Sequence, residues 1–216
     1  MVRTHLPLRR TVPLGVGTFV FGYLLTFVAT AGRTGEIMAI ELPGRYLDPT
    51  SLSHIFGGPP PRWVLSGWVF YNSHLVPTGL PTADTINGFR SLTNRSLIAM
   101  VGGPFFLLYL VPPILLIGAG YVAVRTGTTP GANGPRNAGA SIAVGYLPLF
   151  VVGTFAFAAS AANAPVTATP DGIPAIFLGL VYPIVFGALG GMAAERRSGD
   201  GTESPANDAE TASGRY

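Results

Sequence analysis

The chain contains no cysteine and no lysine. The first absence excludes disulfides, thiolate nucleophiles and cysteine-ligated metal centres. The second excludes lysine Schiff bases and the lysine of a phosphate-binding P-loop. All 13 basic residues are therefore arginine. Charge of either sign is also scarce. Only 11% of the 216 residues are charged, against roughly a quarter in ordinary soluble domains. The net charge of +3 is small, and the arginines stand at segment ends instead of forming a patch. They read as topological signals, and nucleic acid is not an expected partner.

What remains is apolar and comes in long blocks. Mean hydropathy is +0.44. Gly (29) and Pro (20) are frequent, as inside membrane helices. A span needs about 20 mostly apolar residues, because each contributes about 1.5 Å against roughly 30 Å of hydrocarbon. Residues 12–32, 97–124, 138–161 and 172–194 meet this, and none of the four holds Asp, Glu, Lys, Arg or His. Backbone polar groups find no water in a bilayer, so each block is expected to be a helix. The first block also fits a signal peptide, with Arg9 and Arg10 before it and Ala29-Thr30-Ala31 as a cleavage site. Its apolar run exceeds the usual 7–15 residues, so it is read as a permanent span.

Arginine counts orient the bundle. Residues 1–11 and 125–137 and the tail 195–216 place Arg3, Arg9, Arg10, Arg125, Arg136, Arg196 and Arg197 near span ends on one side, read as cytoplasmic. The long loop 33–96 places Arg33, Arg45, Arg62, Arg90 and Arg95 on the other, and the short loop 162–171 has none. Residues 195–216 carry no apolar face and read as a disordered cytoplasmic tail.

"GWVFYNSHLVP", residues 67–77, interrupts the polar loop. A fifth span here would reverse the arginine asymmetry. Pro61 and Pro77 bound a helix over 62–76, and 15 residues give about 22 Å, too short to cross. The segment reads instead as an interfacial or re-entrant helix, a lid at the outer mouth. Both tryptophans, Trp63 and Trp68, lie in it with Tyr71, and such rings favour the headgroup region. A short helical turn is expected at "SLSHIF", residues 51–56, capped by Thr50 or Ser51 and ended by Gly57.

Candidate chemistry is thin. His54 and His74 share the loop with Glu36, Glu41, Asp48 and Asp84, without the spacing of a metal site. His54 reads as a polar helix residue and His74 as an interfacial hydrogen-bonder. Asn94-Arg95-Ser96 is a glycosylation sequon pressed against the second span, and reads as a chance tripeptide. No catalytic, cofactor-binding or metal residue is assigned, and no cofactor is expected. Gly187 and Gly191, and Ser141 and Gly145, have the small-x-x-x-small spacing of close helix packing. "LVPPIL" (110–115) and "LVYPIV" (180–185) suggest that the two even spans are related. The spans' polar side chains are only Thr, Ser and Tyr, which argues against carboxylate-based proton coupling.

"GWVFYNSHLV", "YLVPPILLIGAG", "GYLPLFVVG" and "GLVYPIVFGALGG", in this order, resemble an uncharacterised family of small four-span membrane proteins from halophilic archaea. The resemblance implies that architecture and no activity. The expectation is thus an all-α, polytopic transmembrane helical bundle in the cell membrane, with four spans, both termini cytoplasmic, and an extracellular loop carrying the extra helix. Its leading function is a non-enzymatic envelope scaffold or partner subunit. The second is a small transporter or channel component. A third, distant one is an outer-loop enzyme or metal protein. Expected partners are the lipid bilayer and other membrane proteins, with oligomeric state open.

Overall fold

The computed structural model describes residues 8–43, 48–82, 92–127, 134–162 and 166–199. Four helices are long and apolar enough to cross a membrane: Leu8–Thr30, Gly103–Arg125, Gly134–Ala156 and Gly172–Arg197. The first is helix α1. Its buried residues, Thr11, Gly15, Phe19, Gly22, Thr26 and Thr30, recur in steps of three and four along one stripe. Val16, Val20, Phe21, Leu24, Leu25 and Val28 point outward. Small and polar side chains inside with large apolar ones outside is the pattern of a helix whose solvent is lipid. The threonines satisfy themselves within the helix: Thr18, Thr26 and Thr30 donate to the carbonyls of Leu14, Gly22 and Thr26 at 2.7, 3.0 and 2.9 Å.

Short elements follow in the first loop: α2 (Thr34–Met38), β1 (Glu41–Leu42), β2 (Thr50–Ser51) and α3 (Leu52–Phe56). The α3 turn is capped by Ser51, whose side chain accepts from His54 N, and it ends at Gly57 in the left-handed conformation. Helix α4 (Arg62–Ser73) comes next, then β3 (Thr78–Pro81) and β4 (Leu92–Arg95). The expected helix over 62–76 thus stops at Ser73.

The second expected span, 97–124, is not one continuous helix. Ser96 caps a short helix, α5 (Leu97–Val101). Gly102 and Gly103 then take positive φ of 72° and 57°, which only glycine adopts without strain. A 3₁₀ stretch, Gly103–Leu110, leads into α6 (Val111–Arg125). Pro104, Pro112 and Pro113 sit where a first turn tolerates a missing N–H. The third candidate span begins earlier than expected and is divided into α7 (Gly134–Ala140) and α8 (Ala143–Ala156). It stops short of 161 because Ala159–Ser160 is a strand, β5. Strand β6 (Thr167–Pro170) precedes α9 (Gly172–Gly199). Residues 195–199, expected as disordered tail, continue that helix, and the rest of the tail lies outside the described residues.

The all-α expectation is corrected by the strands. Two form a small pair, β1 with β2, and four form an antiparallel sheet in the order β4-β3-β6-β5. Gly79 of the central strand pairs with Asn94 on one side and Thr169 on the other. The sheet clamps the lead-ins of the second and fourth candidate spans. Asp171 fixes the start of α9 by accepting from Ile173 N (3.2 Å) and from Asn94 Nδ2 (2.8 Å). The sequon asparagine thus uses its amide on a carboxylate. Thr169 Oγ1 donates to Thr154 O at 2.5 Å, tying the sheet to the end of α8.

At the opposite end the helices meet through glycine. A Cβ at Gly120 or at Gly139 would overlap the Gly187 carbonyl, and one at Gly191 would overlap the Pro135 carbonyl. The two even spans, α6 and α9, are thereby parallel neighbours, with α7 against them. Gly145 of α8 meets the Val12 carbonyl of α1 as closely. Both small-x-x-x-small pairs therefore include glycines that pack within the chain. The two similar proline segments differ in setting: Pro112 opens α6, whereas Pro183 lies inside α9.

Candidate functional site: the buried end of the Arg62–Ser73 helix

Three consecutive prolines, Pro59 to Pro61, deliver the chain to α4, and the Pro61 carbonyl accepts from Val64 N and Leu65 N. The helix then descends between α1 and α8, antiparallel to both. Its contacts give the direction. Ser66 Oγ meets Thr30 Oγ1 at 2.7 Å, at the end of α1, and Phe70 meets Phe19 further back, ring centroids 5.2 Å apart. Trp68 Nε1 donates to the Phe157 carbonyl at 2.6 Å, just past the end of α8. Three residues on, the Tyr71 hydroxyl donates to the Phe150 carbonyl.

All ten residues from Val64 to Ser73 are buried. A helix resting on a bundle would bury one face. Burial on every side means that α4 is an internal element. The picture of a lid across the mouth is corrected accordingly, and of the two aromatic anchors only Trp63 is exposed, at 47%, against 0% for Trp68. The cause is visible in the side chains. Phe70, Tyr71 and Trp68 fill the gap between α1 and α8 and pack with Phe19, Phe150 and Phe157. At Gly67 even a Cβ would overlap the Phe157 ring.

The helix ends in polar residues held inside. His74 N bonds Tyr71 O instead of continuing the ladder, which frees the Phe70 carbonyl. Ser73 Oγ and His74 Nδ1 take that carbonyl at 2.6 and 2.8 Å. A carbonyl only accepts, so Nδ1 carries the imidazole proton. Nε2 must then accept, and its partner is the Tyr146 hydroxyl at 2.6 Å. His74 is fully buried. Phe150, Tyr146 and Tyr182 surround it, with ring centroids 4.8, 5.9 and 5.3 Å away. Burial pushes the imidazole pKa down to about 4, so the ring is neutral near pH 7. Burial also pushes the Tyr71 phenol up.

Asn72 fixes the exit. Nδ2 donates to Val76 O (2.8 Å) and Thr78 Oγ1 (3.1 Å), and Oδ1 accepts from Leu97 N (2.7 Å). One side chain thus joins the end of α4, the start of β3 and the start of α5. Between them Leu75 takes φ of 63°, a left-handed conformation that costs a branched residue roughly 1–2 kcal/mol. Asn72 and its neighbours hold that turn in place, as over-determined strain requires.

His74 was expected at an interface; it stands within the bundle, on the third and fourth candidate spans. Sequence reading missed this because Tyr146 lies 72 positions away, and nothing local marks the pair. The polar inventory of the spans was complete, but the loop inserts an ionisable group among them. His54 is exposed on α3. Among the described residues no group of three or more His, Asp or Glu is placed to hold a metal ion; Asp84 lies outside them. A model for a family of unknown function matches residues 2–198. No curated protein and no solved structure matches the chain.

Proposed function

From the premise that the chain belongs to that family, DUF7978, we propose that it is a non-enzymatic integral membrane scaffold or partner subunit. It sits in the cell membrane with both termini cytoplasmic, and the sheet and the start of α4 face outward. Family membership itself brings no activity. The observation that carries the reading is the burial of Val64–Ser73 on all sides. An aromatic helix occupies the space that a solute pathway would need, and its polar groups bond internally. What the protein offers to others is its outside. An apolar groove of about 370 Å³ runs between α7, α8 and α9, lined by Ala140, Ser141, Ala143, Val144, Leu180 and Ile184 among others. Small residues there allow a neighbouring helix to approach closely. The remaining resemblance, to small membrane proteins of halophilic archaea, fits a lysine-free chain with an acid-bearing tail.

The test is paired. The full chain, extracted in native lipid, is expected to co-isolate with a membrane protein in fixed stoichiometry, and Val144→Trp is expected to abolish that complex. Proteoliposomes of the purified chain are expected to be no leakier to small solutes than empty vesicles. Solute flux that depends on the α4 aromatics would overturn the scaffold reading.

A second reading, a small transporter or channel component, has one observation in its favour. An ionisable residue buried among candidate spans is a functional-site hypothesis by default, and His74 on Tyr146 is such a residue. Proton flux into proteoliposomes, lost in His74→Gln, would select this reading over the first.

A further inference from the structure

The break at Gly102 and Gly103 shapes a groove between α1 and the 3₁₀ stretch Gly103–Leu110. A 3₁₀ helix has three residues per turn, so side chains three apart line up in rows. Phe105 and Leu108 form one row and are buried. Pro104 and Leu107 form the next row and are exposed. The two rows together make one wall. Ala29 lines the groove from the α1 side, and its small side chain leaves the space between them unfilled. The groove is about 280 Å³ in volume, lined by Ala29, Arg33, Pro104, Phe105, Leu107 and Leu108. Arg33 is the one charged group among these six residues.

Arg33 stands just past the end of α1, and its N–H on the Thr30 carbonyl (3.0 Å) keeps the chain turning beyond Ala29. The second candidate span begins at Gly103, so Arg33 and Pro104 meet where both spans reach the same boundary. The guanidinium is held there by the buried Phe105 ring, whose centroid lies 5.2 Å from Cζ. Its acidic neighbour is Glu36, with Oε2 3.7 Å from Nη1 and a side chain 55% exposed. That separation is too long for a hydrogen bond, and an exposed ion pair of this kind is weak. A phosphate takes a guanidinium through short charge-assisted bonds, often two at once. Arginine at a span end is common, and lipid touches every outer face of a bundle. Neither rule places an arginine, fixed over a buried ring, at the end of an apolar groove between two spans. A phosphodiester that carries a hydrocarbon chain uses both features.

We infer that the groove between α1 and the 3₁₀ stretch binds a phospholipid of the leaflet at this end, with its phosphate on Arg33 and one acyl chain along Ala29, Leu107 and Leu108. The inference rests on the reading of the four helices as membrane spans. Extraction of the chain from membranes by carbonate alone would remove that premise and is measured separately.

The probe is dioctanoyl phosphatidylglycerol, titrated into the full chain in a neutral detergent, with native mass spectrometry and thermal unfolding as readouts. Dioctanoylglycerol supplies the chains without the phosphate, and glycerol phosphate supplies the phosphate without the chains. The phospholipid is expected to raise Tm saturably and to bind more tightly than either comparator. Parity with dioctanoylglycerol would overturn the phosphate contact, and parity with glycerol phosphate would overturn the acyl groove. Arg33→Gln is expected to weaken binding about fivefold, the worth of one charge near a phospholipid surface. Arg62, an exposed arginine at the start of α4, serves as the control, and Arg62→Gln is expected to change affinity less than about twofold. Equal losses in the two variants would show non-specific surface attraction and overturn the site. Glu36→Gln removes the competing carboxylate and is expected to tighten binding. Weakening in both Glu36→Gln and Arg33→Gln would mean that the ion pair serves the fold alone, and the site would fall. Ala29→Trp sets an indole in the groove from an exposed position and is expected to abolish saturable binding. Where that variant does not fold, Leu107→Trp, also exposed, replaces it. Undiminished binding in the folded variant overturns the placement of the chain.

Discussion

Acid should loosen this protein through one residue. His74 is buried and neutral, with Nδ1–H on the Phe70 carbonyl and Nε2 accepting from Tyr146. In an unfolded chain its imidazole would titrate near 6.5, whereas burial holds it down to about 4 in the fold. The unfolded state therefore binds the proton more readily. Stability from this residue is fully present above about pH 6.5 and declines as pH falls toward 4. One pKa unit corresponds to about 1.4 kcal/mol, so the loss at pH 5 is about 2 kcal/mol. Protonation also reverses a bond: Nε2 becomes a donor, and the Tyr146 hydroxyl can no longer give it a proton. The groups facing the ring are Phe70 and Ser73 of its own segment, Tyr146 and Phe150 of α8 and Tyr182 of α9. None is a carboxylate, so nothing there compensates the charge. The assay is thermal or denaturant unfolding in detergent from pH 7.5 to 4.5, for wild type and His74→Gln. Subtracting the variant removes every other titrating group. Wild type is expected to lose about 2 kcal/mol more than the variant between pH 7.5 and 5. A difference that stays flat, or that grows in favour of wild type at low pH, would refute a buried neutral histidine.

Other perturbations test separate parts of the fold. Asn72→Ala leaves Leu97 N and Val76 O without their partner, and roughly 3 kcal/mol of stability is expected to be lost, read as a lower unfolding midpoint. Gly187→Ala presses a methyl group against the Gly139 carbonyl, while Gly118→Ala meets nothing within 4 Å. The first is expected to destabilise by about 2 kcal/mol or more, and the second to be neutral or to stabilise by up to about 1 kcal/mol; equal effects would contradict the glycine crossing. The cysteine-free background allows sidedness to be read chemically. Leu92→Cys, at an exposed site in β4, is expected to react with an impermeant maleimide from outside intact cells, and Glu195→Cys only after lysis. Labelling of both from one side would contradict the orientation.

Much of this was legible residue by residue. Hydropathy over about 20 positions marks a candidate span without reference to any partner, because the cost of a polar group in lipid is local. The helical turn at 52–56 and the start of α4 followed from caps and prolines for the same reason. The helix breaks at Gly102 and Ser141–Ile142 were less legible, since glycine and proline are also common within continuous spans. The strands were not legible at all. Thr78–Pro81 gains its identity from pairing with segments that begin 14 and 89 residues later, and two-to-four-residue strands carry almost no periodic signal.

Sequence by itself thus determined that four apolar helices form, where the prolines admit a fifth and shorter one, and that no cysteine or lysine chemistry is available. Whether the short helix lay on the bundle or inside it was a matter for the tertiary structure. Its composition suits both a wet interface and an aromatic core, and only the width of the gap between α1 and α8 distinguishes them. The same gap decides the state of His74, since an imidazole's charge depends on what surrounds it and not on its neighbours in the chain.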